Sequence, residues 1–297
     1  MPVSSIIRTA RYVVITPVRN EQDNLPYTIE SVVAQTARPD VWIIVDDGSS
    51  DRTRLIADNA AGQHSWIQVV HRPNRGFRKA GGGVIEAFYD GLHQLGRRDW
   101  DFLVKLDGDL ALAPDYFERC FDRFKQDPQI GIAGGLICRR HGDDLVAESN
   151  GDPSFHVRGA TKIYRRACWD QLGGLIKNPG WDTVDELKAN MLGWKTCTFD
   201  DLKVHQLKET GSVDGAWRNA VKNGLANYVT GYHPLFMLAK CAKRIVEWPY
   251  GLGAGGLAWG FASGYLRRVD RIKDERFIRY VREQQLRRLT LRSSIWN

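Results

Sequence analysis

The order of apolar runs in the first hundred residues constrains this chain more than any other feature. RYVVITPV at 11–18 and WIIV at 42–45 are short runs rich in β-branched residues, and NLPYTIESVVAQ between them places Ile29, Val32 and Val33 at helical spacing. This predicts strand, helix, strand. Helical character resumes at 51–61, WIQVVH at 66–71 reads as a third strand, GVIEAFYDGLHQL at 83–95 as a helix, and FLVKL at 102–106 as a fourth strand. Strands alternating with helices form a parallel sheet covered on both faces, so an α/β fold is expected.

In such sheets ligands bind beyond the carboxyl ends of the strands, and two acidic clusters fall there. Asp46 and Asp47 close the second strand in VDDGSSD; Asp107 and Asp109 close the fourth in LDGDLAL. Asp-Gly between apolar residues is also a hairpin signal, but a hairpin accounts for one cluster and not for both. Neighbouring carboxylates repel unless they shift their pKa or recruit a cation. Mg²⁺ or Mn²⁺ takes one or two protein oxygens and fills its other positions with substrate phosphates and water, so a divalent cation holding a diphosphate is expected.

Beyond residue 115 the alternation loosens. YFERCFDRFKQ reads as a helix, IGIAGGLICRR as a strand, HGDDLVAESNGDPSFHVRG as a polar loop, ATKIYRR as a strand, and ACWDQLGGL and DELKANMLG as helices. TCTFDD and LKVH together suggest a bent last strand. A chain of 297 residues with 43% hydrophobic and 26% charged residues buries a proper core. Its five cysteines, odd in number and never spaced Cys-x-x-Cys, argue against a disulfide framework or a zinc site. They fit a reducing, cytoplasmic setting, and Arg8 interrupts what would be the apolar core of an export signal.

The net charge of +7 is uneven: residues 239–297 carry 13 Lys or Arg against 5 Asp or Glu. The body therefore lacks a basic surface signal, and no nucleic-acid partner is expected. This tail reads as a helical appendage, 239–297, following a body of 1–238 that divides into a nucleotide-binding half, 10–114, and an acceptor half, 115–238.

With these residues in view, the chain resembles the family 2 glycosyltransferases of the GT-A fold. The likeness runs through VVITPVRNEQDNLPYTIESVVAQ, IIVDDGSSDRT, LDGDLAL as the Asp-x-Asp motif, GATKIYRRACWDQLGG and WDTVDELKANMLGWKT, about residues 10 to 235. It implies a mixed, mostly parallel sheet flanked by helices. It also implies inversion at a sugar carbon by a single displacement, with a nucleotide diphosphate leaving. On that resemblance Asp46 and Asp47 lie beside the base and ribose, Thr16, Pro17, Asn20 and Glu21 line the same pocket, Asp107 faces the donor, and Asp109 ligates the metal. His205 in DDLKVH matches the family's histidine that completes the metal site.

A hydroxyl attacking an anomeric carbon must pass its proton to a positioned base. Asp182 precedes Gly193 by eleven positions, the spacing at which the family carries its catalytic acid. The acid usually found before it is Trp181 here, which leaves Asp185 and Glu186 as rivals; acids near a helix start also answer simply to the helix dipole.

PNRGFRKAGGGVIEA, where the family often has Ala-Arg-Asn, sets Arg75, Arg78 and Lys79 beside three glycines. Backbone amides at such a turn can hold a phosphate, and Arg78 and Lys79 are candidate donor contacts. Arg218 and Lys222, four apart on one helical face, are candidates for the diphosphate.

In the tail, GLGAGG at 251–256 matches the dinucleotide glycine pattern but neither follows a strand nor sits in a βαβ unit. Nineteen uncharged residues from Trp248 to Leu266 approach the length that spans a bilayer. Pro249, six glycines and flanking aromatics favour instead a segment lying on a membrane, held by the cationic helix RRVDRIKDERFIRYVREQQLRRL. The alternative is packing on the body or on a twin subunit. The expected function is a metal-dependent inverting glycosyltransferase, peripheral at the cytoplasmic face of the inner membrane, with a nucleotide-diphosphate sugar as donor. Its acceptor would be a saccharide or lipid-linked molecule in cell-surface polysaccharide or glycolipid assembly. A sugar-nucleotide nucleotidyltransferase and a non-catalytic nucleotide-sugar binder are the alternatives.

Overall fold

The computed structural model describes residues 10–77, 82–96, 98–142, 144–148, 152–208, 215–246 and 250–296. The elements run β1 (Tyr12–Val18), α1 (Leu25–Val33), β2 (Val41–Asp46), α2 (Thr53–Gln63), β3 (Ile67–His71), α3 (Gly82–Leu95), β4 (Phe102–Leu106), β5 (Leu110–Ala111) and α4 (Tyr116–Gln126). They continue β6 (Ile130–His141), β7 (Asp144–Ala147), β8 (Thr161–Arg165), α5 (Arg166–Leu172), α6 (Trp181–Met191) and β9 (Lys195–Gln206), then α7 (Gly215–Val229), α8 (Pro234–Ile245), α9 (Leu252–Leu266) and α10 (Glu275–Leu289).

Along β1 the side chains alternate between two cores, as the twofold repeat of a strand requires. Tyr12 and Val14 face a cluster with Trp42, Ile44, Leu25 of α1 and Phe117, Phe121 and Phe124 of α4. Val13 and Ile15 face another with Ile43, Val45, Phe88 of α3 and Trp169 of α5. Each fully buried Phe or Leu adds roughly 1.5–3 kcal/mol relative to exposure, which is why the runs with no polar face became central strands.

Among the described residues one sheet has the order β3-β2-β1-β4-β8-β6-β9-β5, with β7 on β6. β1 to β4 are mutually parallel, β8 is antiparallel to β4 and β6, and β9 is parallel to β6. The last strand is bent, its register on β6 shifting between Gly135 and Leu136. The polar loop at 141–159 contains β7, paired back on β6. Asp107-Gly108-Asp109 is not a hairpin: β5 leaves β4 and pairs with β9, Leu110 opposite Gln206.

A third core joins Val184 and Leu187 of α6 to Tyr228 of α7, Met237 of α8, Phe261 of α9 and Phe277 of α10. Position 238 lies inside α8, which shares this third core with α7, α9 and α10. Of the GLGAGG glycines Gly256 packs on Ala220 and Trp217 of α7, and further along α9 a Cβ on Gly260 would strike the carbonyl of Val221, so the two helices lie backbone to backbone. No helix among the described residues is long and apolar enough to cross a membrane.

Candidate active site

The parallel strands bring the acidic clusters to one edge. β1 lies between β2 and β4, so the ends carrying Asp46 and Asp107 are two strand spacings apart, about 10 Å. Between them the loop after β1 is clasped to the turn after β2. Asn20, at φ 54, accepts the Ser50 N–H through Oδ1 at 2.9 Å and donates its own N–H to Ser49 Oγ at 3.0 Å. The Glu21 N–H donates to Thr53 Oγ1 at 2.7 Å. Asn tolerates this left-handed conformation better than most residues.

The Asp46 carboxylate is buried; it accepts the Ser49 N–H at 2.9 Å and lies 3.4 Å from His71 Nδ1. Asp47 receives a fork from Arg75 at 2.7 and 2.6 Å and a second ion pair from Arg72. Both acids are thus held by their own partners, and Arg19 donates to the Asp47 carbonyl at 2.6 Å. The Thr16 side chain is wholly buried and accepts the Trp42 indole N–H at 2.8 Å. Pro17, also buried, sits opposite Val45 in the β1–β2 register.

Across the edge, the Asp107 side chain is 31% exposed and ion-paired with Lys105, itself buried in β4. Gly108 permits the bend because Val18 presses on it where a side chain would begin. Asp109 is nearly buried, and Gln206 Nε2 donates to it at 3.3 Å. Burial, reinforced by the charge of Asp107, pushes its carboxyl up to about 7. Burial likewise raises Asp107 against the pull of Lys105, with Glu21 and Asp182 adding repulsion. Lys208, beyond β9, closes over Glu21 at 2.9 Å.

Such a set of desolvated oxygens suits a hard divalent cation that takes few protein ligands. Among the described residues no three His, Cys, Asp or Glu side chains group as a complete metal cage. His205 is not joined to Asp109: Gln206, its neighbour, makes that contact, while burial and the charge of Arg140 lower the histidine's pKa.

The three acids of α6 separate sharply. Asp182, half-buried, lies against Gly159, whose Cβ would come 3.1 Å from its carboxylate oxygen. Its own carbonyl is held by the Lys162 ammonium. Asp185 and Glu186 both belong to a buried network. Lys162 donates to Asp185 at 2.8 Å and to Glu186 at 2.6 Å, Tyr164 donates to Asp185 at 2.6 Å, and the Val157 N–H donates to Glu186 at 2.8 Å. Glu186 also meets His156 Nδ1 at 2.9 Å. Trp181 spans the two lysines, 5.3 Å from Lys105 and 5.4 Å from Lys162.

Arg78 and Lys79 lie outside the described residues. Arg218 is exposed and Lys222 half-buried on α7, which follows residues outside the description. The residues that sequence reasoning missed are cations: Arg72, Lys105, Lys162 and Lys208. A lysine inside FLVKL and another inside TKIYR were the available signal, since a charge within a buried strand needs a partner.

Comparison with known proteins agrees with this geometry. The family model described as Glycosyl transferase family 2 matches residues 13–174, more than half of the chain. Polyprenol monophosphomannose synthase of Mycolicibacterium smegmatis is 38% identical over 131 residues, 43% of this chain and 46% of that protein. Undecaprenyl-phosphate mannosyltransferase of Micrococcus luteus is 32% identical over 112 residues, 38% of this chain and 43% of that protein. The chain thus spans less than half the length of these curated relatives. Among solved structures, mannosyltransferase PcManGT from Pyrobaculum calidifontis, in complex with GDP-Man and Mn²⁺, superposes with a TM-score of 0.58 at 19% identity, over 88% of this chain and 76% of that one. S. aureus TarS 1-349 in complex with UDP gives 0.53 at 15% identity, over 93% and 82%. These structures share the GT-A-like fold, and with the matched motifs lying on the strand ends that carry the acidic edge, the chain belongs to glycosyl transferase family 2.

Proposed function

We propose that this chain moves a sugar from a nucleotide-diphosphate donor to an acceptor oxygen, with inversion, and that Asp182 is the base. The observation that carries the reading is the division within α6: Asp182 lies against Gly159, whose carbonyl accepts from the Lys105 that also pairs with Asp107, while Asp185 and Glu186 are held by Lys162. The wall built on Asp46, Asp47, Asn20 and Glu21 would hold the nucleoside, with Asp107 toward the ribose or sugar. Arg75 and Arg72 would meet negative charge on the donor from the Asp47 side, with Arg78, Lys79, Arg218 and Lys222 as further diphosphate contacts. Asp109, with Asp107 beside it and His205 a further candidate, would hold Mg²⁺ or Mn²⁺. Such an ion, when bound, neutralises charge on the diphosphate leaving group.

The acceptor is proposed to be lipid-linked or a saccharide, and the enzyme peripheral at the cytoplasmic face of a membrane. The relatives named for polyprenol and undecaprenyl phosphate support a lipid-linked molecule, and they make the demand on Asp182 a diagnostic. An acceptor hydroxyl must lose a proton, whereas a phosphate monoester, with a second pKa of about 6, is already ionised at neutral pH. The test is Asp182→Asn, assayed with Mn²⁺, a panel of nucleotide sugars and both acceptor types. Donor binding should persist, and transfer to a hydroxyl should fall by roughly 10²–10⁴. Full transfer to the hydroxyl would remove Asp182 as the base; pyrophosphate release by the unaltered protein would mark a nucleotidyltransferase, and neither reaction a binding protein.

A further inference from the structure

β4 and β8 set two lysines opposite each other. In their antiparallel register Lys105 pairs directly with Lys162, and both side chains are buried. Like charges in that arrangement are destabilising, so each ammonium needs partners that offset its placement. Lys162 finds Asp185 and Glu186. The partners of Lys105 are instead the Asp107 carboxylate and the Gly159 carbonyl. One ammonium therefore joins the end of β4, which carries the acidic edge, to the segment leading into β8. A backbone bond runs alongside it, the Asp107 N–H donating to the Ala160 carbonyl at 2.8 Å.

Gly159 is where this tie meets Asp182. A Cβ there would come 3.1 Å from the Asp182 carboxylate and 3.1 Å from the Trp181 ring, closer than most such contacts. The backbone angle of Gly159 is not among the positive ones, so the missing side chain answers to that carboxylate and that indole and not to backbone conformation. Asp182 is thus bounded on its side chain by Gly159 and at its carbonyl by Lys162.

We infer that Lys105 and Gly159 are positioning residues that together set the Asp182 carboxylate relative to Asp107, an inference that rests on the reading of Asp182 as the base. Lys105 acts through the Gly159 carbonyl, and Gly159 by leaving room at the carboxylate. A base must stand within hydrogen-bond reach of the proton it takes, and a misplacement of about 1 Å can cost roughly a hundredfold in rate.

Lys105→Met removes the ammonium and keeps most of the side chain's length. Gly159→Ala keeps every charge and crowds the carboxylate. Transfer is measured with Mn²⁺ and UDP- or GDP-linked sugars, to a hydroxyl acceptor or to water, and nucleotide affinity by titrating UDP or GDP with Mn²⁺. kcat should fall roughly tenfold or more in Lys105→Met and roughly three- to tenfold in Gly159→Ala. Nucleotide affinity should stay within about threefold of the unaltered protein, since the backbone bond to Ala160 keeps Asp107 in place.

Each substitution is then combined with Asp182→Asn. Residues that act through Asp182 lose their effect once it is gone, so in that background both should change kcat by less than about twofold. Losses that multiply in full with Asp182→Asn, or that fall on nucleotide affinity with kcat unchanged, would overturn the proposal while leaving the base in place. Full transfer by Asp182→Asn alone would overturn the base and the proposal with it. Should Lys105→Met not fold, Gly159→Ala carries the test, because it leaves no buried charge without a partner.

Discussion

Trp181 holds its indole 5.3 Å from the Lys105 ammonium, at the position where the family resemblance implies an acid. The same ring lies 5.4 Å from Lys162. One aromatic face thus accompanies two buried cations, and each lysine in turn holds a carboxylate, Asp107 on one side and Asp185 on the other. An indole attracts ammonium groups without adding a negative charge that would itself need pairing.

Trp181→Ala should therefore cost about 3–5 kcal/mol, the range for removing a large buried aromatic, with Trp181→Phe much milder because it keeps a ring over the lysines. Urea denaturation midpoints of the two variants decide it. Equal losses would show that only volume matters at this site.

Asp109 carries its cost in the absence of metal. Its carboxyl stands up at about 7 against an ordinary 3.8, because of burial and then Asp107. Stability tied to this group is full below the ordinary value and lost as pH rises through about 7. In EDTA at pH 7.5, Asp109→Asn should consequently raise the stability of the free protein, on the order of 1–3 kcal/mol. The unaltered protein should gain in melting temperature with Mn²⁺ and a nucleotide diphosphate, and the same variant should lose that gain. A variant that is both less stable and still metal-responsive would remove Asp109 from the site.

His156 gives the protein a second pH dependence. Burial disfavours its charged form, but the Glu186 carboxylate outweighs burial and raises its pKa above 6.5. A histidine raised on folding stabilises fully below its unfolded value and loses that contribution as pH climbs through the folded one. Unfolding free energy should decline above pH 6.5, and His156→Gln should flatten that decline. Denaturation curves at intervals from pH 5.5 to 8.5 measure it; an identical slope in the variant would mean the imidazole is not charged in the fold.

The parallel half of the sheet was legible because RYVVITPV and WIIV have no polar face, and a strand without one must be central. The acidic edge was legible for a related reason, since carboxylates at the ends of buried strands have few other uses. What escaped were relations between distant segments. That β5 pairs with β9 rather than folding back on β4 depends on a partner almost a hundred residues away. Thr16 reads as an edge polar residue until Trp42 is seen to donate to it. The glycines of the tail suggested a segment lying on a membrane, and only α7, pressed backbone to backbone on Gly256 and Gly260, shows why side chains are missing at those two positions. Asp185 and Glu186 stood beside Asp182 as rivals in the sequence, and nothing in it showed that Lys162, on another strand, holds them both.

Gly108 offers the sharpest link between packing and function. It separates Asp107 from Asp109, and a Cβ there would overlap a methyl of Val18. Its backbone angle is not among the positive ones, so alanine would meet no conformational barrier and its cost would be the collision alone. Overpacking of this kind typically costs 1–3 kcal/mol, roughly, and moves the backbone, here the segment holding both carboxylates. Gly108→Ala should thus lower stability by about that amount and weaken metal-dependent donor binding. Val18→Ala made together with it vacates the space the new methyl needs, and the pair should recover donor affinity, while Val18→Ala alone leaves the site intact. Titration of Mn²⁺ and nucleotide diphosphate into the three variants measures this. A double variant as weak as Gly108→Ala would show that the glycine is needed for something other than the approach of Val18.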